Sequence, residues 1–175
     1  VLPSQSRTLG GATGVAAQAS SQLSNRLRLQ GSFSHQNAIY YSADPFAGVS
    51  TSATLVMLFQ PSEQWQIDLR GTYQGFSRAS DGTRLYDYGI YRAKVSYQVN
   101  RHLFFRGIAE YNTYRRQVLT DVLASFTYIP GTVLHAGYGS LYEKLDWQDG
   151  RAVPGRDFLE TRRGFFLKAS YLWRL

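Results

Sequence analysis

The sequence predicts an all-β protein: an antiparallel meander of eight or more strands that forms a transmembrane β-barrel. Three observations lead to this fold class: apolar and polar side chains alternate with period two, the alternating segments are long, and aromatic side chains lie toward their ends. Of the 175 residues, 15% are aromatic and 18% are charged, and there is one Met. This composition excludes a disordered chain and is unlike that of a helical bundle.

The chain length predicts a single barrel domain over residues 1–175, or a fragment of a larger barrel, in which 1–24 is the part least clearly assigned. The absence of Cys excludes disulfides, thiolate metal ligands and a cysteine nucleophile. The first residues contain no initiator Met, basic start or apolar segment, so we expect a mature or excised segment. No run approaches the roughly 18 apolar residues of a membrane-spanning helix, so any membrane contact must involve strands or the surface.

We predict nine strands, taken here in chain order. They cover residues 9–22, 26–36, 51–60, 65–78, 86–99, 103–114, 118–129, 133–142 and 161–175. The first is rich in Gly, Ala and Ser and has the weakest pattern. The fifth and sixth alternate strictly and are joined by the short turn 100–102, which predicts a hairpin. The seventh and eighth flank the turn 130–132, and the ninth has one wholly apolar or aromatic set of alternate positions.

The predicted connections differ in length between the two ends of the sheet. Those at 24–25, 61–64, 100–102 and 130–132 are tight, whereas 37–50, 79–85 and 143–160 are longer; the short connection 115–117 departs from this rule. In outer-membrane barrels the tight turns face the periplasm and the long loops face outside. We therefore expect the C-terminal end of the last strand on the periplasmic side.

The number of strands leaves two architectures open. Nine strands would leave the first and last parallel, whereas simple antiparallel closure needs an even number. Either residues 9–22 do not span and the barrel has eight strands, or the chain is the C-terminal part of a larger barrel.

Strand length and side-chain placement favour a membrane barrel over a soluble one. Most of the predicted strands reach the 9–11 residues that a tilted strand needs to cross a bilayer, whereas strands of globular proteins average about 5–6. Aromatic residues near the ends of the apolar face resemble interfacial girdles. The residues predicted to face lipid are Tyr91, Val95, Tyr97, Phe105, Tyr111, Phe126, Leu167, Tyr171 and Trp173.

The opposite face has too many charges for a dry core, because desolvating so many ions would be costly. The charged residues predicted to face the lumen are Arg26, Arg28, Asp68, Arg70, Arg92, Lys94, Arg106, Glu110, Asp121 and Lys168. Two explanations remain for the basic members of this set: a structural ladder of ion pairs, or a lumen that favours anions.

Three segments carry a family resemblance: 91–112 (YRAKVSYQVNRHLFFRGIAEYN), 125–144 (SFTYIPGTVLHAGYGSLYEK) and 164–175 (GFFLKASYLWRL). They resemble the C-terminal barrel region of bacterial outer-membrane proteins of uncharacterised function that often carry an N-terminal family-nine-type carbohydrate-binding domain. The resemblance covers about the last half of the chain and implies a bacterial outer-membrane barrel. The terminal strand ends in Leu175, with Trp173 two residues earlier, where the barrel assembly signal has a final Phe or Trp. No sugar-binding residue carries over, because that domain is absent from this sequence.

No catalytic residue, metal ligand or cofactor site is predicted. The three His residues have no partners at metal-ligand spacing, and His135 and Ser140 fall on opposite faces of one predicted strand. The acidic pairs Asp146/Asp149 and Asp157/Glu160 lie in a predicted loop, where carboxylates are ordinary, although they are also the candidates for glycoside hydrolysis or Ca²⁺ binding.

The net charge of +7 raises the question of nucleic acid, which we do not expect as a partner because Arg and aromatic side chains lie mostly on opposite faces. The expected partners are membrane lipid, lipopolysaccharide and other outer-membrane or periplasmic proteins. The arginines predicted near loop ends are either solvated or paired with lipopolysaccharide phosphates; they are Arg115, Arg116, Arg151, Arg156, Arg162 and Arg163.

The sequence thus predicts an integral outer-membrane barrel that is not an enzyme and acts as a pore, an anchor or a platform for partner domains. Two alternatives stay open. One is an outer-membrane barrel enzyme that acts on lipid or sugar at the outer rim. The other is a soluble ligand-binding β-barrel, in which the apolar set would point inward.

Overall fold

A computed structural model of the protein describes residues 13–148 and 151–172. These residues form a single antiparallel sheet of nine strands, ordered β1 to β9 as in the sequence. The strands are β1 (Gly14–Ser24), β2 (Leu27–Tyr40), β3 (Phe46–Phe59), β4 (Trp65–Arg78), β5 (Arg84–Gln98), β6 (Leu103–Asn112), β7 (Gln117–Ile129), β8 (Thr132–Gln148) and β9 (Arg151–Ser170). The predicted all-β meander of eight or more strands is confirmed.

Period-two alternation over long segments produces long strands. Each strand has between 10 and 20 residues, against a mean of about 5–6 in globular proteins. The β2–β3 ladder pairs fourteen residues without interruption, from Leu27 opposite Phe59 to Tyr40 opposite Phe46. A shift of the register by one residue would move the whole apolar set to the other face, which is why the pairing stays in one continuous register.

Short turns join the strands at one end of the sheet, which we call the turn end; the opposite end is called the loop end. The turns at 25–26, 60–64, 99–102 and 130–131 lie at the turn end. In the last of these, Gly131 has a φ of 93°, and its N-terminal neighbour is Pro130. A side chain at Gly131 would be strained by this φ and would also overlap Leu172, so the position requires glycine.

One of the predicted long loops is wrong, and a second is two residues shorter than predicted. The expected loop 37–50 is only 41–45, because β2 continues to Tyr40 and β3 begins at Phe46. The expected loop 79–85 shortens to 79–83. Small and polar residues such as Ala38, Gly48 and Ser50 obscure the alternation in the sequence, although they pair across β2 and β3 in register.

The third predicted loop, 143–160, is also wrong over most of its length. β8 and β9 continue past it as a paired hairpin that ends with Gln148 opposite Arg151. Two irregularities in register, between Leu141 and Tyr142 and between Lys144 and Leu145, absorb the extra residues of β9. Since 41–45, 79–83 and the turn 113–116 are as short as 60–64, the structure removes most of the loop-length contrast from which the orientation was predicted.

Within the described residues the sheet is open. β1 pairs only with β2, and β9 pairs only with β8. β1 and β9 run in the same direction, so they cannot close the sheet by antiparallel pairing with each other. Closure of an eight-stranded barrel between β2 and β9 is also not possible in this arrangement, because β1 occupies that edge of β2 over ten residue pairs. The larger barrel stays a prediction.

The sheet has almost no buried core in the part of the chain that the structure describes. Phe76 and Leu123 are the only hydrophobic residues there that are buried, at 4% and 8% exposure. A soluble sheet normally covers one face with another layer of structure. Among the same residues, no helix is long and apolar enough to span a membrane.

Candidate functional site

The strand register assigns each residue to one of two faces, because directly paired residues of antiparallel strands project from the same side. On one side, Met57 pairs with Leu69 and Leu69 with Ala93. On the other, Asp68 pairs with Lys94 and Arg92 with Glu110. We call these the apolar face and the charged face.

Nine of the ten charged residues predicted from the sequence lie on the charged face. They are Arg28, Asp68, Arg70, Arg92, Lys94, Arg106, Glu110, Asp121 and Lys168. Arg26 does not lie on a strand. It is in the turn 25–26, where its guanidinium donates to the carbonyl oxygen of Pro61 at 2.9 Å. The strand predicted at 26–36 thus begins one residue later, at Leu27.

The predicted apolar set lies on the opposite face. Its members within strands are Tyr91, Val95, Tyr97, Phe105, Tyr111, Phe126 and Leu167. Tyr171 follows the end of β9, and Trp173 lies outside the described residues. Which of the two faces points into a barrel is a separate question from this division.

Three cross-strand ion pairs connect four neighbouring strands on the charged face; together they are called the ladder. The Lys94 ammonium lies 2.6 Å from the Asp68 carboxylate, between β4 and β5. The Arg92 guanidinium lies 3.4 Å from Glu110, between β5 and β6. A third pair joins β6 and β7, where Arg106 lies 3.2 Å from Asp121.

The ladder is hydrated rather than buried. Each of its six side chains keeps between 28% and 49% of its surface exposed. At that exposure an ion pair contributes about 0–1 kcal/mol to stability. The ladder therefore neutralises the carboxylates of the charged face without requiring a dry interior.

An aromatic cluster lies on the charged face at the loop end and was not predicted from the sequence. Ring centroids are 5.2 Å apart for Tyr40 and Phe46, 5.5 Å for Tyr40 and Phe76, and 5.8 Å for Phe76 and Tyr86. The Arg78 guanidinium lies 4.4 Å from the Phe46 ring centre. The signal was missed because Phe46 fell in a predicted loop and because aromatic residues were assigned mainly to the apolar face.

Two rows of aromatic residues cross the apolar face, and we call them the belts. The turn-end belt contains Trp65, Tyr97, Phe105 and Phe126, and the loop-end belt contains Tyr73, Tyr91, Tyr111 and Tyr138. In the turn-end belt the rings of Trp65 and Tyr97 stack, with centroids 4.4 Å apart. Along β4, β5 and β6 the belts are separated by roughly 6–8 residues, or about 20–26 Å at roughly 3.3 Å per residue.

The apolar face between the belts is aliphatic and uncovered. Leu55 is 59% exposed and Val122 is 54% exposed. Their neighbours on this face include Leu69, Ala93 and Ala109. Monomeric soluble proteins rarely expose a contiguous apolar surface of this kind.

The candidate catalytic residues are not assembled into a site. His135 pairs with Ser125 and lies on the charged face, whereas Ser140 lies on the apolar face and its hydroxyl is 2.8 Å from that of Thr120. His35 Nδ1 is hydrogen-bonded to the hydroxyl of Thr51, and His102 Nδ1 is hydrogen-bonded to the carbonyl oxygen of Thr127, both at 2.8 Å.

Three of the four acidic candidates lie on the extended β8–β9 hairpin, on strands and not in a loop. Asp146 is in β8, Asp157 and Glu160 are in β9, and Asp149 lies outside the described residues. Glu160 accepts a hydrogen bond from the Tyr138 hydroxyl at 3.0 Å and lies 3.8 Å from Arg163. In residues 13–148 and 151–172 no group of three or more His, Asp or Glu side chains is placed to hold a metal ion.

One carboxyl group outside the strands has a shifted pKa. In the loop 79–83, the backbone N–H of Thr83 donates to Asp81 at 3.0 Å. This hydrogen bond, followed by one from the Thr83 side chain, lowers the pKa of Asp81, and the nearby Arg78 acts in the same direction. Because ionised Asp81 is favoured in the fold, its small contribution to loop order is present above its unfolded pKa and is lost as the pH falls through its folded value.

The arrangement as a whole defines a class: a one-layer antiparallel meander with a hydrated charged face and an exposed, belted apolar face. No protein-family model and no curated protein matches the chain. Among solved structures, the chain is similar to the CymD monoaromatic hydrocarbon channel, with 14% sequence identity and a TM-score of 0.41. The similarity covers 75% of this chain and 46% of the channel, so the chain spans about half of that protein's length.

Proposed function

We propose that this protein is an integral outer-membrane β-barrel that acts as a pore. In this proposal the apolar face contacts lipid and the charged face lines a water-filled lumen. One observation carries it: the register separates exposed aliphatic residues between two belts from a hydrated ion-pair ladder on the opposite side of the same strands. A single layer with these two faces needs hydrocarbon on one side and water on the other.

The dimensions support the lipid contact. Strands of 10–15 residues over β2–β7 extend about 33–50 Å at roughly 3.3 Å per residue. With a tilt of about 40° they project about 25–38 Å along the membrane normal, enough for the apolar band of roughly 25 Å of an outer-membrane barrel. Because a bilayer offers no hydrogen-bond partner to an unpaired strand edge, the barrel must be closed. The proposed barrel therefore contains strands beyond the nine described, since β1 and β9 are parallel.

The position of the two buried hydrophobic side chains supports a lumen on the charged side. Phe76 and Leu123 both belong to the charged face, whereas the large residues of the apolar face are mostly exposed. Crowding is greater on the inner side of a curved sheet. The alternative soluble barrel requires the reverse, with Tyr91 and Val95 directed inward, and is less consistent with this pattern.

The proposal assigns no catalytic residue. Lipid and lipopolysaccharide are the proposed partners of two exposed arginines near the loop end of β9, Arg156 and Arg163. These guanidinium groups lie beyond the loop-end belt, where lipid phosphates would meet them.

The proposal predicts ion conductance. The purified protein, folded in detergent and added to a planar lipid bilayer in 1 M KCl (about sevenfold more concentrated than physiological salt), should produce discrete conductance steps. It should also migrate differently on gels before and after boiling. Steps that disappear after boiling establish that the folded barrel conducts. A protein that shows the heat-dependent migration but no conductance is an anchor or platform and not a pore. A protein that stays monomeric and soluble without detergent contradicts the membrane barrel altogether.

A further inference from the structure

A shallow cleft of about 430 Å³ lies on the charged face of the first four strands. Its polar lining comes from Gln18 and Ser20 on β1, Gln30 and Ser32 on β2, Thr54 on β3 and Arg70 on β4. The register places these residues in two adjacent rows, since Ser32 pairs with Thr54 and Val56 pairs with Arg70. The lining contains amides, hydroxyls and one cation, and no carboxylate.

Arg70 differs from the cations of the ladder. Within the described residues its guanidinium has neither a carboxylate nor a hydrogen-bond partner. Its direct cross-strand neighbours are Val56 and Arg92. The nearby acids are already engaged, because Asp68 contacts Lys94 at 2.6 Å and Glu110 contacts Arg92 at 3.4 Å.

Among the described residues, no carboxylate balances the positive charge of Arg70. Two like charges placed directly opposite each other on neighbouring strands repel, and only Arg92 has a compensating carboxylate. A guanidinium offers several N–H donors in a planar fork that fits a carboxylate or phosphate. The adjacent amides and hydroxyls offer both donors and acceptors to the rest of a polar molecule.

We propose that this cleft is a binding site for small hydroxylated anions, such as sugar acids, with Arg70 as the residue that selects for negative charge. The carboxylate or phosphate would pair with Arg70, while hydroxyl groups would bond to the side-chain amides of Gln18 and Gln30. The inference deepens the proposed pore, because it names the class of solute that the lumen favours. The charge preference of the cleft can, however, be measured in an experiment that does not depend on conductance.

The test uses a reporter thiol, which is unambiguous because the chain contains no Cys. In the folded Thr54→Cys protein in detergent, the reaction rates are measured for two methanethiosulfonates of similar size, one carrying a sulfonate and one a trimethylammonium group. We expect the ratio of the anionic to the cationic rate to fall about fivefold when Arg70 is replaced by Gln, and to be retained in Arg70→Lys. Arg101→Gln, a change in the exposed turn 99–102, should leave the ratio unchanged.

A second arm identifies the ligand class. Gluconate should slow modification of the thiol, uncharged glucose should not, and Arg70→Gln should remove the protection by gluconate. If the ratio of the anionic to the cationic rate is the same in the Arg70→Gln protein, the proposed site is wrong. It is also wrong if glucose and gluconate protect the thiol equally and this protection persists in Arg70→Gln. If Thr54→Cys does not fold, Ser32→Cys provides the same reporter on the neighbouring strand. If the protein shows no conductance but the cleft keeps its preference for the anionic reagent, the proposed pore is contradicted and the anion site is still supported.

Discussion

Leu55→Arg is expected to lower the free energy of unfolding from a lipid bilayer by about 2–4 kcal/mol, the cost of placing an arginine on the lipid face near the membrane midplane. Leu55 lies on the apolar face of β3, between the levels of the two belts, and is 59% exposed. Urea titration of the protein folded in vesicles measures the effect.

The matched control for this change is Ser52→Arg on the same strand. Ser52 pairs with Ser34 and Gln74, so its side chain belongs to the charged face. In a water-filled lumen this substitution should cost less than about 1 kcal/mol. Equal losses in the two variants, or a larger loss for Ser52→Arg, would mean that the faces have been assigned to the wrong solvents.

Gly48→Ala is expected to lower the free energy of unfolding by about 2 kcal/mol through overpacking. Gly48 is buried on β3, and a β-carbon there would overlap the ring of Phe76 and the backbone of Ser77. Phe76 cannot move freely, because it contacts the rings of Tyr40 and Tyr86 in the aromatic cluster. Chemical denaturation in detergent gives the comparison with the unmodified protein.

Gly107→Ala is the control for the overpacking prediction, since a β-carbon at Gly107 meets nothing within 4 Å. Its effect should remain within about 0.5 kcal/mol. Adding Phe76→Leu to Gly48→Ala should recover part of the loss, because the two residues are in contact and their effects are not additive. If the two Gly→Ala variants have the same stability, the close approach of Phe76 to Gly48 is not present in the folded protein.

Strict alternation was sufficient to predict part of the fold closely. The hairpin predicted from 86–99 and 103–114 corresponds to β5 (Arg84–Gln98) and β6 (Leu103–Asn112). The apolar set that begins at Tyr91 lies on one face, as alternation requires. Long strands with one uniform face leave little freedom in the position of side chains.

The hairpin formed by the ends of β8 and β9 shows why alternation was not sufficient elsewhere. Residues 143–160 are charged and contain Pro154 and Gly155, which indicated a loop. In the structure the two strands remain paired because β9 accommodates extra residues where the register shifts. A sequence pattern does not contain the position of such shifts, since they depend on the partner strand.

The charged face could be predicted as a set, but its pairing could not. Alternation placed Asp68, Arg92 and Lys94 on one side, whereas the choice of partner depends on register. Arg106 pairs with Asp121 although its direct neighbour on β7 is Leu123. The lack of a partner for Arg70 has the same origin, because the register brings it opposite Arg92.

The solvent of each face is tested most directly by spin labels placed one at a time at positions 90–97 of β5 in the protein reconstituted in lipid vesicles. Relaxation by oxygen, which concentrates in hydrocarbon, should be strongest at Tyr91, Ala93, Val95 and Tyr97. Relaxation by a water-soluble nickel chelate should be strongest at Arg92, Lys94 and Ser96. A scan in which the first set contacts neither reagent while the second set contacts bulk water would mean that the apolar face is a protein core and would contradict the membrane barrel.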